Sequence, residues 1–118
     1  MYDYGVSSYE RMRSLSQFNN VSVIKEANIY FDGKVTSRIV LFADGTKKTL
    51  GIMLPGEYEF GTGLKEEMEI LAGKLEYQLN GEDWKEINES GVFCVPANDK
   101  FQLKVHTPVD YCCSYIAE

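Results

Sequence analysis

Three dipeptides, Asp32-Gly33, Asp44-Gly45 and Asn80-Gly81, constrain the fold of this chain more than any other feature. The run "VSVIKEANIYF" leads to the first, "KVTSRIVLF" to the second and "KLEYQL" to the third. Asn or Asp followed by Gly closes a β-hairpin because glycine takes positive φ without steric cost. A chain punctuated in this way is expected to form short antiparallel strands.

Alternation along the runs supports that expectation. Leu75, Tyr77 and Leu79 alternate with Glu76 and Gln78, and Phe101, Leu103 and Val105 alternate with Gln102, Lys104 and His106. One face of each strand is therefore apolar and the other polar. "KEEMEIL" has helix-forming residues, but it is short and lies between Gly63 and Gly73, so it is read as a strand. The first twenty residues differ: Met12, Leu15 and Phe18 follow Ser7 and Ser8 at helical spacing, which suits a short helix or a partly ordered tail. The expected organisation is an N-terminal extension over residues 1–20 and one all-β domain over 21–118.

At 118 residues the chain has room for a single core. Its net charge of −6 and its lack of a basic block disfavour nucleic acid as a partner. No apolar run reaches membrane-spanning length and no signal peptide is visible, so a cytoplasmic location is expected. Cys112 and Cys113 are adjacent and would point to opposite faces of a strand, which makes them poor disulfide partners. With Cys94 they are expected to be small free thiols.

Gly51, then Glu57-Tyr58-Glu59, then Glu66 or Glu67, then Gly73 resembles the first cupin motif, and "GVFCVPANDKF" from Gly91 to Phe101 resembles the second. The stretches "YFDGKVTS", "LGIMLPGEYEFGT", "EEMEILAGKLEY", Trp84, "GVFCVPAN", "FQLKV" and "DYCCSYI" occur in order over about residues 28–116. Together they resemble the pyrimidine/purine nucleoside phosphorylase family of small cupins. The resemblance implies a cupin-type, jelly-roll-like β-barrel, a homodimer, and phosphorolysis of purine and pyrimidine nucleosides to free base and pentose 1-phosphate. Nucleosides and inorganic phosphate are then the expected partners.

Glutamates stand where a cupin carries its His-X-His pair, Phe101 takes the third histidine's place, and the single histidine, His106, is on the polar phase of its run. Transition-metal sites favour nitrogen ligands, so no metal and no cofactor are expected. A pocket carboxylate can instead stabilise an oxocarbenium-like transition state. Glu57 and Glu59 share one face of a strand, whereas the opposite phase would bury Tyr58 and Phe60; the cupin spacing favours Glu57 as a pocket residue. Glu67 is preferred to Glu66 as the second carboxylate. Lys34, with Ser37 and Thr62 as hydroxyl donors, is the candidate set for phosphate or sugar, and Tyr77, Phe101, Tyr111 and Tyr115 are candidates for the base pocket. Arg38, Lys47 and Lys48 read as surface charges. The alternative is a non-catalytic cupin that binds a small anion or sugar phosphate.

Overall fold

The computed structural model describes residues 15–118. The strands are β1 (Ser22–Val23), β2 (Asn28–Tyr30), β3 (Val35–Leu41), β4 (Lys47–Met53), β5 (Gly56–Gly61) and β6 (Lys65–Ala72). They continue as β7 (Lys74–Leu79), β8 (Lys85–Asn88), β9 (Gly91–Val95), β10 (Lys100–Val105) and β11 (Val109–Ile116). Each Asn-Gly or Asp-Gly dipeptide closes an antiparallel hairpin, β2 on β3, β3 on β4 and β7 on β8. Gly33, Gly45 and Gly81 all have φ between 80° and 88°, the left-handed region that a Cβ disfavours. "KEEMEIL" lies in β6.

The strands form a seven-stranded sheet, in the order β1-β3-β4-β11-β6-β9 with β2 also on β3, and a four-stranded sheet in the order β5-β10-β7-β8. Among the described residues no backbone ladder joins the two, so the closed barrel expected from the sequence is not found: two open sheets pack through their side chains. Met53, Met68, Ile70, Phe93, Val109 and Tyr111 of the larger sheet meet Tyr58, Leu75, Ile87, Phe101, Leu103 and Val105 of the smaller in one core. Leu75, Val95 and Val109 are fully buried there. Apolar burial of this kind stabilises by about 25 cal/mol per Å² removed from water. The last strand, β11, lies between β4 and β6 and pairs with both.

The N-terminal helix expected from Met12, Leu15 and Phe18 falls largely outside the described residues. Its described part, residues 15–20, has no helix; Phe18 packs edge-on against Phe42 with ring centroids 5.0 Å apart. Cys94, Cys112 and Cys113 are free, Cys112 and Cys113 on opposite faces of β11. Among the described residues no helix is long and apolar enough to cross a membrane.

Candidate active site

Between the sheets lies a cavity of ≈ 210 Å³. Its polar wall is built on the larger sheet, because the inward phase of four neighbouring strands carries polar side chains: Ser37 from β3, Thr49 from β4, Glu66 from β6, and Tyr111, Cys113 and Tyr115 from β11. The register sets these groups side by side, Tyr115 opposite Glu66, Cys113 opposite both Thr49 and Met68, and Tyr111 opposite Gly51. The facing wall is apolar, formed by Phe60 of β5 and Phe101 of β10, whose rings stack at 5.6 Å and 26°, with Met53, Met68 and Tyr30 beside them.

Hydrogen bonds fix the polar wall. Asn28 Nδ2 donates to Ser37 Oγ at 3.2 Å, Tyr111 Oη donates to the Thr36 carbonyl at 3.3 Å, and the hydroxyls of Thr49 and Tyr115 are 3.3 Å apart. The Cys113 thiol donates to Glu66 Oε1 at 3.5 Å. Burial raises the pKa of Glu66 above the ordinary carboxylate value, and the bond from Cys113 draws it partly back. Burial also pushes Tyr111 up to about 12 and raises Tyr115 and Cys113, the latter further raised by the charge of Glu66. The hydroxyls and the thiol are thus neutral donors at pH 7. Among the described lining residues, Glu66 is the one acidic side chain.

This arrangement departs from the sequence expectations at several positions. Ser37, Phe101 and Tyr115 line the cavity, but Glu57 does not. On β5 the aromatic residues take the inward phase, with Tyr58 5% exposed and Phe60 on the cavity wall, so Glu57 and Glu59 face solvent. Burying two rings is favourable, whereas burying two unpaired carboxylates is costly. Glu67 likewise lies on the outer face of β6. Met68 and Ile70 are buried, and period-two alternation places Glu66, not Glu67, on their side.

Lys34 is exposed beyond the turn at Phe31–Gly33, where its backbone closes the hairpin. Thr62 is engaged by the backbone: its hydroxyl donates to the Pro96 carbonyl at 2.6 Å and accepts from the Asp99 amide at 3.0 Å, which pins the link between β9 and β10 to the end of β5. Tyr77 stacks on Phe93 with centroids 4.0 Å apart and packs, partly buried, against the core outside the cavity. Tyr111, a base-pocket candidate from the sequence, also lines the cavity; sequence reasoning weighed Glu66 but preferred Glu67, and missed Thr49 and Cys113. The signal was there in part, since Glu66, Met68 and Ile70 are two residues apart, as are Tyr111, Cys113 and Tyr115.

The positions that would hold a cupin metal do not fit one. Glu57 and Glu59 point outward, Phe101 is buried apolar surface, and His106 pairs with Glu76 at 2.6 Å outside the cavity. Among the described residues no three His, Cys, Asp or Glu side chains converge as metal ligands.

Comparison with known proteins gives the chain its place. It is 66% identical over 102 residues to the pyrimidine/purine nucleoside phosphorylase of Chlorobium chlorochromatii (strain CaD3), covering 86% of this chain and 99% of that one. A crystal structure of an Acinetobacter sp. ADP1 protein of unknown function superposes with a TM-score of 0.81 at 37% identity, covering 85% of this chain and 98% of that one. A cupin superfamily protein from Desulfitobacterium hafniense DCB-2 shares the fold, with a TM-score of 0.58 at 16% identity over 78% of this chain and 84% of that one. The family model for pyrimidine/purine nucleoside phosphorylase matches residues 25–115, so the chain belongs to that family.

Proposed function

We propose that the chain is a nucleoside phosphorylase of broad base specificity, a pentosyltransferase that works in the cytoplasm as a homodimer. The observation that carries this reading is a half-buried carboxylate, Glu66, the one acidic group among the described lining residues, set in a wall of hydroxyls across from two stacked phenylalanines, in a chain of this family. The nucleobase lies against Phe60 and Phe101. A flat apolar ring stacks on any base without reading its edge, which suits broad specificity. The pentose faces Ser37, Tyr115 and Glu66, where its hydroxyls can donate to the carboxylate.

In the reaction a phosphate oxygen bonds to the anomeric carbon as the C–N glycosidic bond breaks. The bonding pair leaves with the base, which takes up a proton from hydrogen phosphate or solvent. Positive charge grows on the sugar in the transition state, and ionised Glu66 stabilises it. No step requires a metal. Leu50, Ile52 and Val92, exposed on the outer face of the larger sheet, supply apolar surface for a second copy.

The test is chromatography of metal-stripped protein incubated with mixed nucleosides, with and without phosphate. Free base and pentose 1-phosphate appearing only with phosphate is the expected result. Folded protein that releases no base in either condition would overturn the reading, and saturable binding of a pentose phosphate without turnover would then identify a binding module.

A further inference from the structure

Phosphate is a multiply charged anion, yet among the described residues the cavity wall contains no lysine or arginine. A site that uses phosphate as nucleophile needs a cation within reach of its hydroxyl donors. We infer that Lys47, at the mouth of the cavity, anchors the phosphate together with the hydroxyls of Thr49 and Tyr115. The inference rests on the phosphorylase reading and names the part of the site that holds the second substrate.

The strand register supports it. On β4, Thr49 and Met53 line the cavity, and Lys47 is two residues from Thr49, on the same face. The ladder between β4 and β11 pairs Thr49 with Cys113 and Lys48 with Ser114, so Lys47 lies next to Tyr115 on the neighbouring strand. Its ammonium is over the Tyr115 ring, 5.1 Å from the centroid. The Tyr115 hydroxyl is in turn 3.3 Å from that of Thr49. An ammonium and two neutral hydroxyls thus converge at one corner of the cavity, the donor set that a phosphate takes.

Glu66 is opposite Tyr115 on its other side, in β6. The lysine and the carboxylate are therefore two strands apart, roughly 10 Å between backbones, and among the described residues Lys47 has no ion pair. That spacing keeps the phosphate charge away from the carboxylate and leaves the sugar between nucleophile and Glu66. Three other cations of the larger sheet are engaged elsewhere. Arg38 donates to the Lys25 carbonyl, Lys48 lies over Phe18 and Phe42 on the outer face, and Lys65 pairs with Glu118. Lys47 was read from the sequence as a surface charge, because nothing in the linear order shows that Tyr115 lies beside it.

The experiment uses the full chain and its Lys47→Met and Lys47→Arg variants. Kinetics are measured with phosphate varied at fixed nucleoside and the reverse, and inorganic phosphate alone is titrated by calorimetry. Losing a charge-assisted contact is expected to raise the phosphate KM and Kd about tenfold to a hundredfold. The nucleoside KM at saturating phosphate should stay within about twofold, and Lys47→Arg should restore most phosphate affinity. A wild-type enzyme that turns over while Lys47→Met keeps its phosphate KM overturns the inference and leaves the phosphorylase reading standing. If the wild type releases no base, that reading fails, and the titration still decides: equal phosphate affinity in wild type and Lys47→Met, or none in either, overturns the role of Lys47.

Discussion

A carboxyl group half-buried beside a thiol keeps its proton to higher pH than one in water, and Glu66 is such a group. Replacing it with Gln keeps the shape and removes the charge. Glu66→Gln is expected to lower kcat by about 10²- to 10³-fold in steady-state phosphorolysis. The wild-type kcat/KM should fall on the acid side with a midpoint above the ordinary 4.5, and this limb should be absent from the residual activity of the variant. The same shift has a stability consequence. Because the folded pKa is raised, the contribution of the carboxyl to stability is full below the ordinary value and is lost as pH rises through the folded one. Thermal unfolding should therefore give Glu66→Gln a higher Tm than wild type at pH 7 and no advantage near pH 4. Lower activity with higher stability is the pattern of a site residue kept for function. From the sequence alone Glu66 and Glu67 are neighbouring glutamates; the burial of Met68 and Ile70 separates them.

At the scale of elements, the close approach of β3, β4 and β11 explains why residue 51 is a glycine. A Cβ there would fall on the Thr36 carbonyl oxygen and come within 2.8 Å of the Tyr111 hydroxyl. Neither can yield without parting the strands or breaking the bond from Tyr111 to Thr36. Gly51→Ala is expected to cost about 1–3 kcal/mol in urea denaturation, and an unchanged midpoint would contradict the packing described. The sequence motif marks the glycine but not its reason, which involves residues far along the chain. Strand β11 depends even more on distant partners. A chain ending at Pro108 would lose the strand that joins β4 to β6, along with Tyr111, Cys113 and Tyr115 of the cavity. Such a truncation is expected to show no cooperative transition by circular dichroism.

For the whole molecule, the last strand completes the middle of the larger sheet, so most stabilising contacts join residues distant in sequence. The C-terminal strand must find β4 and β6, far back along the chain, before those contacts form, and loop closure slows folding. Refolding followed by Trp84 fluorescence is expected in the millisecond-to-second range, and full recovery within microseconds would contradict this topology. The amino-acid order alone specifies the all-β class, the three hairpins and the family, because turn dipeptides, period-two alternation and ordered motifs are local in the chain. It also placed Ser37, Phe101 and Tyr115 among the site candidates. Which phase of β5 and β6 faces inward, that the sheets stay open, and that Lys47 and Glu66 flank Tyr115 emerge from the packed fold. Alternation fixes which residues share a face but not which face is buried. That choice is made by the competition of all faces for one core, where aromatic and aliphatic side chains displace carboxylates unless hydrogen-bond partners are waiting.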